Sequence, residues 1–396
     1  MKPATKETLA LTGNEAAAYA MKQINPDVVA AYPITPATEI VQIFSKYVAD
    51  GEVDTEFVPV ESEHSAMSVC IGASAAGARV MTATASQGLA LMHEMLYIAA
   101  SLRLPILMVV GNRALSAPIN IHCDHSDTMG SRDSGWIQIY CENTNEVYHT
   151  LIAAIRIAET ANLPCMVTMD GFIVTHGMEN VRVLEDAEVQ EFVGKRKPLY
   201  SLLDTDNPIT IGPLVLYDYY FEYKRSQLEG VLKAKKIIPL VIDEYNKRFG
   251  ENIPSFVEEY YTEDAEIVIV AMSSAAGTFK EAIDIEREKG EKIGLLRLKV
   301  FRPFPYEILR EKMKNAQVIG VMDRAETFST MGGPLSIELK AALYPLEKRI
   351  LLQDFIFGLG GREFTLENAL EVVDILKKIK KDKKVSEEFI YIGIKE

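Results

Sequence analysis

Cysteine is scarce in this chain, with four in 396 residues and no C-x-x-C pair, so neither a zinc ribbon nor a run of iron–sulfur ligands is present. Any redox centre must therefore sit on another chain. Cys70, Cys123, Cys141 and Cys165 read as buried thiols and not as disulfides. Cations are also short, 42 Lys and Arg against 56 Asp and Glu, giving a net charge of -14. That balance excludes a surface built for nucleic acid or for a membrane of anionic lipid, both of which need clustered positive charge. Apolar runs of membrane-spanning length are missing, and charges interrupt the mildly apolar start MKPATKETLALTGNEAAAYA, so no signal peptide is expected and the cytoplasm is the expected location. Nucleotide and nucleophile motifs fail too. Gly72 and Gly77 have P-loop spacing but are followed by Ala78-Arg79 in place of Lys and Ser or Thr, no G-x-G-x-x-G follows a strand, and no G-x-S-x-G occurs.

What is there is a soluble composition, 48% hydrophobic and 25% charged, long enough for two domains or slightly more. Short β-branched runs at Val28 to Ala31, Phe57 to Val60, Val80 to Thr84, Ile106 to Val110 and Cys165 to Met169 alternate with helical stretches such as Leu89 to Leu102 and Glu146 to Thr160. Alternation of this kind predicts a parallel α/β sheet over residues 1–200. The stretch 185–220 lacks a sustained period and reads as a connector, followed by Phe221 to Phe249 as a pair of helices broken at Pro239, so that 201–261 joins two units. A second α/β series fills 262–396: Glu266 to Ala271, a helix Phe279 to Lys289, the run Gly294 to Val300, the turn Arg302-Pro303-Phe304-Pro305, and Val318 to Met322. Gly332-Gly333 and Gly358 to Gly361 mark later strand-to-helix passages, and Lys377 to Lys384 reads as a solvated face.

Chemistry-bearing residues gather at the predicted strand ends. Thr35-Pro36 closes the first strand and opens a helix at Ala37, where Thr35 serves equally well as an N-cap or as part of an anion site at a helix start. Glu61 and Glu63 follow the next strand; either complements a helix dipole, and the strand-to-helix transition lets only one face a pocket. Arg113 ends a third strand before the irregular stretch Ser116 to Arg132. Taken alone it reads as a surface ion-pair partner, yet its fork suits a carboxylate. His122, Asp124 and His125 follow no metal-binding spacing, and no metal ligand is assigned.

In order, AAYPITPATEI, VPVESEHSAMSVCIGASAAGARVMTATASQGLALMHE, LPILMVVGNRALSAPINIHCDHSD and LRLKVFRPFP resemble the α subunit of archaeal and bacterial pyruvate:ferredoxin oxidoreductases over nearly the whole chain. The resemblance implies a domain over 1–200 that grips the pyrimidine end of thiamine diphosphate, then a second transketolase-C-terminal-like α/β domain with an assembly role. It matches Glu63 to the cofactor-activating glutamate, selecting it over Glu61, and places Pro33 and Ile34 against the cofactor. A carboxylate on the ring nitrogen favours the imino tautomer, whose exocyclic nitrogen takes the proton from the thiazolium carbon. Thr35 and Arg113 match the residues that hold the 2-oxoacid. Threonine at this place argues against oxalate, whose enzymes carry arginine there.

The same resemblance explains a further absence. Thiamine enzymes hold Mg²⁺ and diphosphate with G-D-G and a downstream Asn, whereas Asp170-Gly171-Phe172 is the nearest fragment in this chain. The resemblance therefore implies that thiamine diphosphate is shared with a β-type partner carrying Mg²⁺, the diphosphate and an iron–sulfur cluster, with further [4Fe-4S] clusters on a ferredoxin-like δ-type chain, and a γ-type partner besides. The implied reaction takes pyruvate and coenzyme A to acetyl-CoA and CO2 and reduces ferredoxin, reversibly. Alternatives are the same chemistry on 2-oxoisovalerate, 2-oxoglutarate or phenylglyoxylate, a non-catalytic scaffold, or a transketolase-like enzyme without redox chemistry.

Overall fold

A computed structural model describes residues 7–385 and 387–395; the extreme start of the chain, read above as part of a charged non-signal segment, lies outside the described residues over 1–6. Runs of small and β-branched residues bounded by turns supply the strands, because such side chains fit a sheet covered on both faces. In chain order they are β1 (Glu7–Thr12), β2 (Val28–Ala31), β3 (Glu56–Pro59), β4 (Val80–Thr84), β5 (Ile106–Asn112), β6 (Ile137–Tyr140), β7 (Cys165–Asp170) and β8 (Met178–Val183). The second series comprises β9 (Val257–Tyr260), β10 (Ile267–Met272), β11 (Ile293–Leu298), β12 (Val300–Arg302), β13 (Val318–Asp323), β14 (Leu351–Phe357) and β15 (Phe389–Ile392).

Two open sheets result, in the orders β12-β6-β7-β5-β4-β2-β3 and β15-β14-β13-β10-β11-β9, with β1 and β8 forming a small antiparallel ribbon. Both large sheets are parallel apart from one antiparallel edge strand each, β12 and β9. The expected α/β class holds, and the sheets are tied together in a way the periodicity did not suggest. Gly294 to Val300, read as one run, divides at Lys299: Leu298 pairs with Val257 in the second sheet, while Val300 pairs with Ile139 in the first.

Other expectations need correction. Pro239 does not break its helix, which runs unbroken from Tyr220 to Phe249. A proline inside a helix costs about 3 kcal/mol. Ile237, Ile238, Val241 and Ile242 are buried on either side of it, each contributing roughly 1.5–3 kcal/mol, so packing on the helix Thr144–Ala161 outweighs the lost hydrogen bond. Leu89 to Leu102 is two helices, Ser86–Leu91 and His93–Ser101, because Met92 leaves helical geometry at φ -90° and ψ 11°. The connector begins with a helix, Asp186–Val193, and the stretch Ser116 to Arg132 contains a short one, Ser126–Gly130. Lys377 and Lys380 are also more than a solvated face, since they pair with Glu286 and Glu266 across the second unit.

A buried ionic node joins the units. Glu146 sits in the first turn of Thr144–Ala161, where Arg297 grips it with both terminal nitrogens at 2.9 Å and Lys299 reaches it at 2.7 Å. Burial opposes its charge, but Arg297 and Lys299 outweigh burial and hold the carboxyl well below its usual range. At the Gly332-Gly333 passage, Asp323 caps the helix Pro334–Leu343 by accepting from the Leu335 and Ser336 amides at 2.8 and 2.9 Å. A Cβ on Gly333 would lie 2.2 Å from the Asp323 side chain, which is why glycine stands there.

Candidate active site

Strands β2, β3, β4 and β5 are mutually parallel, so the residues after each emerge on one edge of the sheet. Because β3 lies on one side of β2 and β4 on the other, the helix Glu63–Ala75 must cross β2 to reach β4. That crossing creates a crevice at the carboxyl ends, the usual ligand position in open α/β sheets.

Glu63 and Glu61 part company here. Ser62 caps the helix, its hydroxyl accepting from the Ser65 amide, and this places Glu63 in the first turn with 6% of its surface exposed. Glu61 is exposed and accepts a hydrogen bond from the Ser65 hydroxyl. Among the described residues, no hydrogen bond or ion pair reaches the Glu63 carboxylate. Its neighbour is Gly88, where an added Cβ would lie 2.6 Å from Glu63 Oε1 and 2.5 Å from Thr84 Oγ1. The Thr84 hydroxyl is itself buried without a partner. A largely buried glutamate with no hydrogen bond among the described residues, beside an unpaired hydroxyl and a backbone with no side chain, offers polar groups to a ligand.

Arg113 follows β5 directly and is not a surface ion-pair partner. It is buried, its Nε donates to the Asn120 carbonyl at 2.9 Å and its Nη1 to the Thr35 carbonyl at 3.0 Å. Burial lowers its pKa from the ordinary arginine value, and Asp127 partly offsets this. Its Nη2 makes no hydrogen bond among the described residues, which leaves donors for a ligand. The Thr35 reading as an N-cap is overturned: the helix starts at Thr38, its cap residue Ala37 makes no side-chain bond, and the Ile34 carbonyl accepts from Ala37. Thr35 is instead exposed, its hydroxyl without a hydrogen bond among the described residues, beside exposed Pro33 and half-buried Ile34.

Sequence reasoning missed the residue that organises these loops. Asp127, fully enclosed, accepts from the Ser86 and Arg113 amides at 3.0 Å, from Asn112 Nδ2 at 2.8 Å and from the Thr128 amide at 2.7 Å. Burial pushes its carboxyl up to about 6 despite these donors. Ser86, held at φ 46°, also donates its hydroxyl to the Ala114 carbonyl at 2.6 Å, linking the Gly88 turn to the Arg113 segment. The only advance signal was the density of polar residues around Asp127.

Of the residues weighed above as ligands, His122 is exposed and packs against Phe172, and among the described residues His122, Asp124 and His125 do not form a converging ligand set. Cys123, His125 and Asp170 do bring ligand atoms within 4.8 Å of one another. Arg324 Nη1 already occupies that position, 2.7 Å from Asp170 and 3.8 Å from Cys123 Sγ. Although burial pushes Asp170 up, Arg324 and His125 together hold it well below the usual carboxylate range. Asp170 therefore serves as an ion-pair anchor, and Gly171 lets its backbone approach Asn112, whose carbonyl oxygen a Cβ would meet at 2.3 Å.

Residues 19–243 match the family described as pyruvate flavodoxin/ferredoxin oxidoreductase, thiamine diphosphate-binding, and residues 265–369 match the pyruvate:ferredoxin oxidoreductase core domain II. The pyruvate synthase subunit PorA of Thermotoga maritima is 54% identical over 364 residues, covering 91% of this chain and 92% of that one. The ketoisovalerate oxidoreductase subunit VorA of Pyrococcus horikoshii is 44% identical over 385 residues, covering 97% and 98%. A solved 2-oxoglutarate:ferredoxin oxidoreductase from Magnetococcus marinus shares the fold with a TM-score of 0.72 at 20% identity; the match covers 93% of this chain and 65% of that longer one. A split-gene transketolase has the same general architecture at a TM-score of 0.56 and 13% identity. With both family matches in chain order and close relatives spanning nearly its full length, the chain belongs to the pyruvate:ferredoxin oxidoreductase family, thiamine diphosphate-dependent enzymes that oxidise 2-oxoacids.

Proposed function

We propose that this chain is the catalytic subunit for oxidative decarboxylation of pyruvate, with coenzyme A accepting the acyl group and ferredoxin the electrons. The observation that carries the reading is the buried Glu63 carboxylate, unpartnered beside Gly88 and Thr84, at the edge where Arg113 and Thr35 meet. Thiamine diphosphate, when bound, supplies the centre that stabilises the carbanion left by decarboxylation. Glu63 would hold a proton shared with the cofactor's pyrimidine nitrogen, and low exposure keeps water from competing for it. Pro33 and Ile34 would flank the ring. The free Arg113 donors and the Thr35 hydroxyl would orient the 2-oxoacid carboxylate and keto oxygen.

In this reading residues 1–200 form the pyrimidine-binding unit, 201–261 the connector and 262–396 a unit that supports assembly. In this reading a β-type partner carries Mg²⁺, the diphosphate and an iron–sulfur cluster, and γ- and δ-type partners complete the complex; the absence of G-D-G and of cluster ligands here and the naming of the relatives as subunits support it. Among the described residues no helix is long and apolar enough to cross a membrane, and we place the complex in the cytoplasm. The higher identity to a pyruvate synthase subunit than to a ketoisovalerate oxidoreductase subunit supports pyruvate over 2-oxoisovalerate.

A panel of 2-oxoacids with coenzyme A and a viologen acceptor, run without oxygen on the assembled complex, tests this. Pyruvate should give the highest kcat/KM; a larger value for 2-oxoisovalerate, 2-oxoglutarate or phenylglyoxylate reassigns the substrate. Ketol transfer by a colourless complex, or no turnover of any 2-oxoacid, overturns the reading. Gly88→Ala probes the cradle directly. Its methyl would displace the Glu63 carboxylate, and we expect half-saturation by thiamine diphosphate to need at least roughly tenfold more cofactor, equivalent to about 1.4 kcal/mol. An unchanged cofactor titration would show that the Glu63–Gly88 contact is not part of the site.

A further inference from the structure

We infer that the second sheet takes part in substrate recognition: its Gly358–Gly361 turn and Arg324 position Arg113, acting through residues 114–125. This rests on the reading above that Arg113 binds the 2-oxoacid. Asn120 is the coupling residue. Its carbonyl accepts from Arg113 Nε at 2.9 Å, while its side chain donates to the Gly360 carbonyl at 3.0 Å and accepts from the His122 amide at 2.6 Å. One side of this residue thus sets the guanidinium and the other is fixed to the turn after β14.

The rest of the segment is held from the same direction. Gly361 donates its amide to the Cys123 carbonyl at 2.6 Å, Gly360 donates to Asp124 Oδ2 at 3.3 Å, and His125 donates its amide to the Arg324 carbonyl at 2.8 Å. Arg324 then turns its guanidinium onto Asp170 at 2.7 Å, where His125 and the Ser274 amide also converge, at 2.7 and 3.2 Å. Within the first unit the segment is tied by Ala114 to the His122 carbonyl and by Leu115 to Ser126 Oγ, both at 3.0 Å. Those ties close the loop, but they do not fix the Asn120 side chain, which among the described residues is hydrogen-bonded from outside the loop by the second unit alone.

The turn itself is cut to fit. Gly360 and Gly361 have φ of 60° and 77°, and an added Cβ would lie 2.5 Å from Asn120 Nδ2 at the first and 2.3 Å from His122 Cβ at the second. Glycine is required at both, by conformation and by approach. A unit expected only to support assembly therefore presses a closely fitted glycine turn against the loop that orients Arg113.

Gly361→Ala, His122→Gly and the double variant, each in the assembled complex, test the inference. Gly361→Ala should raise KM for pyruvate about tenfold, with kcat and KM for coenzyme A within about twofold of wild type, as expected when only ground-state positioning of one substrate is disturbed. The double variant should recover part of that rise relative to Gly361→Ala, because the clash with His122 is removed while the strain of an alanine at φ 77° remains. Gly360→Ala, whose Cβ would press on Asn120 Nδ2 at the coupling contact itself, is the second variant should Gly361→Ala fail to assemble, with an expected rise in pyruvate KM of about threefold. An unchanged pyruvate KM, or an equal rise for pyruvate and coenzyme A, overturns the inference. Arg113→Gln measured alongside separates the two ideas: if it leaves pyruvate KM unaltered, the Arg113 reading itself fails.

Discussion

Glu63→Gln is expected to reduce 2-oxoacid turnover by roughly 10²- to 10⁴-fold, the range lost when a positioned acid–base group is removed. Glutamine keeps the shape of the side chain and cannot exchange a proton at this position. The replacement should leave the fold intact, because Glu63 makes no hydrogen bond or ion pair among the described residues and neutralising it breaks none. Viologen reduction by the assembled complex measures the first effect, and subunit stoichiometry with the melting temperature measures the second. Turnover within a few-fold of wild type, with assembly normal, would leave the chain as a scaffold. Loss of activity with loss of assembly would instead give Glu63 a structural role.

The second large effect belongs to Glu146. Glu146→Ala strands Arg297 and Lys299, each almost fully buried, and should cost about 3–5 kcal/mol, a large part of the stability of an ordinary domain. Glu142 and Glu258 remain beside Arg297 and soften the loss without replacing the bidentate contact. The pH dependence follows from the direction of the shift. Since the folded pKa of Glu146 is depressed, its contribution is present above the unfolded carboxylate value of about 4.3 and disappears as pH falls through the folded value. Urea midpoints of wild type and variant should therefore lie far apart at pH 7 and converge in acid. Equal midpoints at pH 7 would show that the node contributes nothing to joining the units.

Much of the fold was legible before any coordinates. The parallel α/β character, the strand cores around Val28, Val80, Ile106 and Cys165, and the clustering of Thr35, Glu63 and Arg113 at strand ends follow from hydrophobic period and turn residues, which are local properties. What periodicity misread was long-range. Pro239 is a helix breaker by local rules and sits inside a 30-residue helix because its neighbours bury against Thr144–Ala161. Lys299 divides a continuous apolar run because partners on two different sheets claim the residues on either side.

At the site the division is the same. The sequence by itself determined which residue types stand at the strand ends and, through a family resemblance, which of two glutamates to favour and the expectation of partner chains for metal, diphosphate and electrons. Only the tertiary structure decided that Glu63 is buried while Glu61 is solvated, that Arg113 is held by the carbonyls of Thr35 and Asn120, and that Asp127, Gly88 and the Gly360-Gly361 turn contact these segments from distant positions. The reason is physical: side-chain chemistry is written residue by residue, whereas desolvation and hydrogen-bond geometry depend on what the rest of the chain brings within a few ångströms.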